Sequence, residues 1–244
     1  PVTEAGTYYS IENGNIYMAV INFCDNTAQI KAATQWLEKD AAESEAIWKV
    51  VVTHQPAYFT NSVGGNDPVY EYLPDACEAS GIDVVFSGHD HAFARTNPLI
   101  DDQINEDDGI VYYITGAIGS KRYPISTKDK FDYDTIFNYL SDSFSATYLT
   151  VDSNMDEMTI KMYELGNEEP VNVHVIESAC KKGDHEYIYD TDADIVKCSV
   201  CKESYSEYTG DVKDKKDNEY YFLAGKMQTG WVTVGEEVRY YDAD

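Results

Sequence analysis

Apolar and β-prone residues fill 16–23, and Asp25 and Asn26 then offer a helix cap before Ile30, Ala33, Leu37 and Ala41 fall at helical spacing. This pattern predicts a strand followed by a helix. A nearly unbroken apolar run at 47–53 suits a strand covered on both faces, as strands of parallel sheets are, and His54 stands at its carboxyl end. Residues 56–68 read as a loop rich in Gly and Asn, 69–80 as a helix despite Pro74, and Gly81 as its stop. A second buried strand, 82–86, runs into Ser87-Gly88-His89-Asp90-His91, and a third, 110–115, ends in Gly116-Ala117-Ile118-Gly119. Strands alternating with helices predict an α/β layered fold.

After Phe144 the pattern changes to two strand-like runs, 146–151 and 158–163, joined by the polar turn 152–157, which predicts a closing hairpin. Beyond about Ser178 aliphatic residues thin out while Cys and Tyr remain, so a domain boundary is set there. The expected division is 1–177, then two small modules at 178–210 and 217–244.

Composition narrows the function classes. With 244 residues, 43% of them apolar, a substantial core is available. A net charge of −26 repels nucleic-acid phosphates and anionic membrane surfaces, so no nucleic-acid partner is expected. No apolar run approaches the ~20 residues of a membrane helix, so no membrane span is expected. The first residues lack the basic and apolar regions of an export signal. Since the chain starts with Pro1, its amino terminus, with any such signal, is expected to lie outside this sequence. Five cysteines, three of them clustered late, do not suggest a general disulfide framework; Cys24 and Cys77 read as small buried hydrophobes.

Open α/β sheets bind ligands in the crevice beyond the carboxyl ends of their strands, where His54, His89 and His91 all fall. Each alone would pass for an ordinary core or surface histidine. Together, His-x-His after one buried strand and a strand-end His one helix earlier form a metal signal for zinc, iron or manganese. In an extended segment the rings of His89 and His91 point to one side, with Gly88 allowing a tight turn beneath them.

Val51-Val52-Thr53-His54 and Gly88-His89-Asp90-His91-Ala92-Phe93-Ala94-Arg95-Thr96 resemble two late motifs of calcineurin-like metallophosphoesterases, the second especially those of the purple acid phosphatase branch. The resemblance runs from about Thr7 through Leu165. It implies a four-layer α/β/β/α sandwich, of which this chain supplies the carboxyl-terminal half. It also implies two metal ions between the strand ends, with His54 and His89 serving one and His91 the other. Such a pair, ~3.5 to 4 Å apart, activates a hydroxide for in-line attack on a phosphate ester, whether monoester or diester. Asp90 then either orients a ligand or is a solvent-facing turn residue.

The family's earlier motifs, an Asp-x-His or Asp-x-Gly, a Gly-Asp-x-x-Asp or Gly-Asp-x-x-Tyr, and a Gly-Asn-His, do not occur here. They supply the bridging carboxylate and the general acid, so those are expected upstream. The chain is accordingly expected to be a fragment, inactive alone, since three imidazoles leave adjacent dications poorly neutralised. Many purple acid phosphatases also place a histidine for the substrate phosphate in the loop after the His54 position; 58–65 contains none, leaving the substrate open.

In the tail, Cys180, four residues, His185, twelve residues, Cys198, two residues and Cys201 match a structural zinc site; free thiols or a Cys198–Cys201 disulfide are the alternative. Residues 220–242 resemble one aromatic cell-wall-binding repeat of Gram-positive surface proteins, with Tyr221, Trp231 and Tyr240 as candidate contacts to a wall polymer. An ordinary hairpin with core aromatics is the alternative. The resulting expectation is a secreted or wall-associated metal-dependent phosphoesterase; a noncatalytic surface module with an incomplete phosphatase fold is the competing reading.

Overall fold

In the computed structural model, which describes residues 7–22, 27–61, 67–117, 121, 123–126, 130–141 and 147–242, the chain divides into two units, Pro1–Ser178 and Ala179–Asp244. Unit 1 begins with antiparallel β1 (Tyr8–Asn13) and β2 (Ile16–Ile21). After α1 (Thr27–Ala42), β3 (Trp48–Thr53) pairs parallel to β2; after α2 (Asp67–Ser80), β4 (Val84–Ser87) pairs parallel to β3. The chain continues through β5 (Phe93–Thr96), the short pair β6 (Leu99–Ile100) and β7 (Gln103–Ile104), β8 (Val111–Thr115), α3 (Tyr133–Ile136) and β9 (Phe137–Ser141). The main sheet has the order β1-β2-β3-β4-β8-β5-β9, with β8 parallel to β4 and antiparallel to β5. Consequently β2, β3, β4 and β8 all finish on one rim.

The helical spacing read from the sequence is the buried stripe of α1, since Ile30, Ala33, Leu37 and Ala41 all face the core. They pack with Val69, Leu73, Ala76 and Cys77 of α2 against Ala19, Val51 and Val85 on one face of the sheet. Helix α2 continues through the buried Pro74 and stops at Gly81, whose φ is 62°. Its last turn is closed by Gly81 N–H to Glu78 O and Ile82 N–H to Cys77 O, the paired bonds that a left-handed glycine makes possible.

The opposite face, with Trp48, Val50, Val84, Phe93, Val111 and Tyr113, packs on a second sheet of β10 (Thr147–Ser153), β11 (Glu157–Glu164) and β12 (Asn172–Glu177). Strand period delivers that contact: Met158, Ile160 and Met162 alternate inward along β11 and are fully buried. The Trp48 indole N–H donates to Asn154 O at 2.6 Å, tying the first sheet to the β10–β11 turn. The far face of the second sheet exposes Val173 by 47% and Val175 by 45%, and no helix covers it among the described residues. Unit 1 thus has a mixed α/β fold containing three of the four layers of the sandwich, helix, sheet and sheet.

Unit 2 consists of α4 (Ala179–Lys182), a five-stranded sheet and a hairpin. The sheet comprises β13 (Tyr187–Asp190), β14 (Ile195–Cys198), β15 (Gly210–Lys213), β16 (Glu219–Leu223) and β17 (Lys226–Gln228), in the order β14-β13-β15-β16-β17. The hairpin is β18 (Gly230–Val234) with β19 (Glu237–Tyr241). Because β15 pairs with β13 on one side and β16 on the other, the stretches 178–210 and 217–244 share one sheet instead of folding as separate modules. The helix cap expected at Asp25 and Asn26, the reading of Cys24, and Ile118 and Gly119 lie outside the described residues.

Truncating Ile160→Ala, in the middle of the inter-sheet core, is expected to cost about 2–5 kcal/mol, whereas Val173→Ala on the open face should stay within ~0.5 kcal/mol. Urea denaturation of the two variants measures the difference, and equal losses would contradict this layering.

Candidate functional site

The site is assembled at the carboxyl rim of the parallel strands. His54 directly follows β3, and the Gly88 N–H, just past β4, donates to His54 O at 3.0 Å, extending the strand pairing by one more bond. The two chain ends therefore leave the sheet side by side. His89 Nδ1 lies 3.2 Å from His54 Nε2, with the rings edge to face at 89° and centroids 5.1 Å apart. Burial lowers the His54 pKa, and the nearby His89 and His91 rings lower it further, which favours the neutral imidazole with its lone pair.

His91 makes its own contacts on the same turn. Its Nδ1 is 2.8 Å from Lys121 O, and its ring packs on Tyr123 at 4.9 Å. A carbonyl oxygen only accepts, so Nδ1 carries the proton and the lone pair is left on Nε2. Metal-binding histidines are held by this kind of bond. The structure thus brings His54 and His89 together and places His91 two residues along with its tautomer set.

The His-x-His segment is not extended. His89 has φ 67° and His91 has φ 53°, both left-handed, a conformation that costs about 1–3 kcal/mol at a non-glycine residue. Gly88 is not among the positive-φ residues, and a Cβ there would meet His54 atoms only at 3.8 Å, so the turn's freedom comes from the histidines themselves. Asp90 between them is fully buried rather than solvent-facing. Its Oδ2 accepts from the Thr60 N–H at 2.5 Å and from Thr60 Oγ1 at 3.0 Å, and its own carbonyl accepts from Asn61 Nδ2 at 3.2 Å. Burial raises the Asp90 pKa against the opposing pull of the Thr60 bonds. Thr60 and Asn61, which no motif marked, clamp the loop after His54 onto the turn.

In unit 2, Cys180, His185, Cys198 and Cys201 bring their ligand atoms within 4.8 Å of one another. Burial pushes the Cys180 thiol up to about 12, whereas at Cys198 hydrogen bonding from His185 and from the Cys201 and Val200 backbone outweighs burial and brings it down to about 6. Trp231 and Tyr240 are 76% and 59% exposed and meet edge to face at 5.3 Å. Tyr221 does not join them; it is buried and stacks on Tyr241, because it points into unit 2 from β16.

Residues 3–93, which include His54, His89 and His91, match the family model of the calcineurin-like phosphoesterases. Purple acid phosphatase 15 of Arabidopsis thaliana is 30% identical over 132 residues, covering 50% of this chain and 24% of that protein. Purple acid phosphatase 21 of the same plant is 23% identical over 184 residues, covering 69% of this chain and 42% of that one. The structure of a purple acid phosphatase from yellow lupin (Lupinus luteus) seeds superimposes with a TM-score of 0.52 at 14% identity, covering 70% of this chain and 32% of that one. That likeness concerns the fold. This chain spans well under half the length of these curated relatives.

Asp90→Ala leaves the Thr60 N–H and hydroxyl unpaired and is expected to cost about 1–3 kcal/mol, with weaker metal uptake at the neighbouring histidines. Asp90→Asn, which keeps an acceptor, should lose less. Thermal melts paired with metal titration check both, and an Asp90→Ala protein indistinguishable from the parent would show the clamp to be idle.

Proposed function

We propose that unit 1 is the metal-holding part of a phosphoesterase that hydrolyses phosphate monoesters or diesters, with His54, His89 and His91 as ligands. One observation carries this reading: two imidazole nitrogens from adjacent parallel strand ends stand 3.2 Å apart. Two nitrogens bound ~2.0–2.1 Å from one tetrahedral ion lie roughly 3.3 Å apart, so the donor pair fits a single cation. His91 is the candidate ligand to a second ion through Nε2. The match over residues 3–93 supports the same chemistry.

A pair of such ions, of iron, zinc or manganese, supplies when bound an activated nucleophile and positive charge against the phosphoryl oxygens. The chain's own residues do the positioning. The β3–β4 pairing sets the distance between His54 and His89, Lys121 O holds the His91 proton on Nδ1, and the Asp90–Thr60 clamp keeps the turn in its strained shape. A general acid and a bridging carboxylate are not among these residues, and both roles are assigned to the earlier Asp and Asn-His motifs that the family resemblance implies.

We further propose a secreted or wall-associated setting, in which the exposed Trp231 and Tyr240 contact a wall polymer. Their exposure, 76% and 59%, and their edge-to-face contact on one hairpin support this reading.

In protein that also carries the Asp and Asn-His motifs, turnover of p-nitrophenyl phosphate or its bis ester should depend on added metal. It should fall in His54→Ala or His89→Ala by more than the ~10–100-fold that loss of a supporting hydrogen bond costs. The 244-residue chain by itself should show little turnover. Undiminished activity in His89→Ala would defeat the assignment, and lack of activity in a motif-complete protein would favour a noncatalytic module. Sedimentation with purified cell walls tests the aromatic pair: Trp231→Ala should lower the bound fraction, and unchanged binding would remove Trp231 from the contact.

A further inference from the structure

The four sulfur and nitrogen donors of unit 2 come from α4, the turn that follows it and the loop at the end of β14. Cys180 lies on the single turn α4, and the chain reverses at Gly183, with φ 95°, to present His185. Cys198 ends β14, directly opposite Tyr187 of β13, so that the hairpin's open end comes back to His185. Cys201 follows on a tight loop in which the Lys202 N–H donates to Cys198 O at 3.2 Å and the Val200 N–H points to Cys198 Sγ at 3.4 Å. Lys202 closes that loop with a left-handed φ of 64°. Backbone N–H groups directed at a cysteine sulfur stabilise its thiolate form.

The distances have the size of a coordination tetrahedron. Cys180 Sγ and Cys198 Sγ are 3.6 Å apart, and Cys201 Sγ and His185 Nδ1 are 3.7 Å apart. Zinc at ~2.3 Å from sulfur and ~2.0–2.1 Å from nitrogen sets edges of roughly 3.6–3.8 Å. A disulfide needs its sulfurs at ~2.05 Å, far closer than the Cys180–Cys198 approach. Both of those cysteines are buried, while Cys201 is half-exposed.

We propose that Cys180, His185, Cys198 and Cys201 bind one zinc ion that holds unit 2 folded. Four protein ligands fill a tetrahedral ion and leave no position for substrate, so the site is structural. Its need is visible in the small core: among the described residues of unit 2, Tyr189, Val196, Val212 and Phe222 form the buried apolar cluster, with Tyr187, Tyr208 and Tyr220 partly buried against it and Tyr221 stacked on Tyr241. Domains of roughly 60 residues bury too little surface for such a core to suffice alone, and metal ligation then supplies folding free energy. Thiol protons leave to solvent as the ion binds, and no redox change is involved. This inference is independent of the phosphoesterase reading.

The test uses the full chain, with His54, His89 and His91 all changed to Ala so that the candidate ligands of unit 1 are removed and only His174 of β12 remains there. After dialysis it should retain about one zinc per chain by elemental analysis. Adding Cys198→Ser should remove at least 90% of that zinc, a ~10-fold loss of the size metal-site lesions produce. Because that variant could also lose zinc by misfolding, His185→Cys provides the second measurement. It should keep the metal, and its cobalt-substituted form should show ligand-field bands shifted toward those of an all-thiolate tetrahedron. Chelation should open unit 2 to proteolysis and spare unit 1. A triple-Ala chain without zinc, a Cys198→Ser chain that keeps it, an unshifted cobalt spectrum in His185→Cys, or a disulfide found among these cysteines overturns the proposal.

Discussion

The parallel pairing of β3 with β4 is the constraint on which the unit 1 site depends. Val50, Val51 and Val52 stand beside Val84, Val85 and Phe86, and the bond from the Gly88 N–H to His54 O carries that register one step past the sheet. Every later feature inherits its position from this alignment. A slip of one residue would turn the buried side chains of β3 to the wrong face and also remove His54 from His89. The packing that fixes the register, Val51 and Val85 against the helices and Val50 and Val84 against the second sheet, therefore also fixes the separation of the donors.

That alignment was largely legible in the sequence because strands buried on both faces announce themselves as continuous apolar runs. The run ending at Thr53 and the α1 stripe of Ile30, Ala33, Leu37 and Ala41 have one structural solution each. Strands β1 and β12 were not legible for the opposite reason. Both are edge strands: β1 shows no alternation of burial, and β12 alternates with Val173 and Val175 on its exposed face and Asn172 and His174 on the other, so neither reads as a half-buried strand. The short β5 hides inside the motif, where Arg95 sits buried among apolar neighbours, donating to Asn138 of β9, a partner more than forty positions away that spacing cannot reveal.

The site itself was legible in its donors and not in its supports. Histidines at strand ends are visible in a one-dimensional reading, whereas the Asp90–Thr60 clamp joins residues thirty positions apart. The turn geometry was misread for a physical reason. A glycine before two histidines suggests that the glycine bends, yet the left-handed residues are His89 and His91. Strain of that kind persists only where surrounding bonds over-determine it. Asp90 and His91 supply those bonds, one through Thr60 and Asn61 and the other through Lys121 O and Tyr123.

The two donor sets differ in what the protein around them requires. Unit 1 has a large apolar cluster on each face of a seven-stranded sheet, and His54, His89 and His91 belong to neither cluster. Strain at residues outside the core points to function, and imidazole nitrogens suit ions that must still accept other ligands. Unit 2 has a small, Tyr-rich core, and its three sulfurs and one nitrogen gather within 4.8 Å of one another, with the Cys180–Cys198 and Cys201–His185 pairs at 3.6 and 3.7 Å. At the proposed zinc site the cation stands in for missing hydrophobic burial, and a closed, thiolate-rich shell is the form that holds it most firmly. On the two proposals together, core size separates a nitrogen site open to chemistry from a sulfur site closed around an ion that holds the fold.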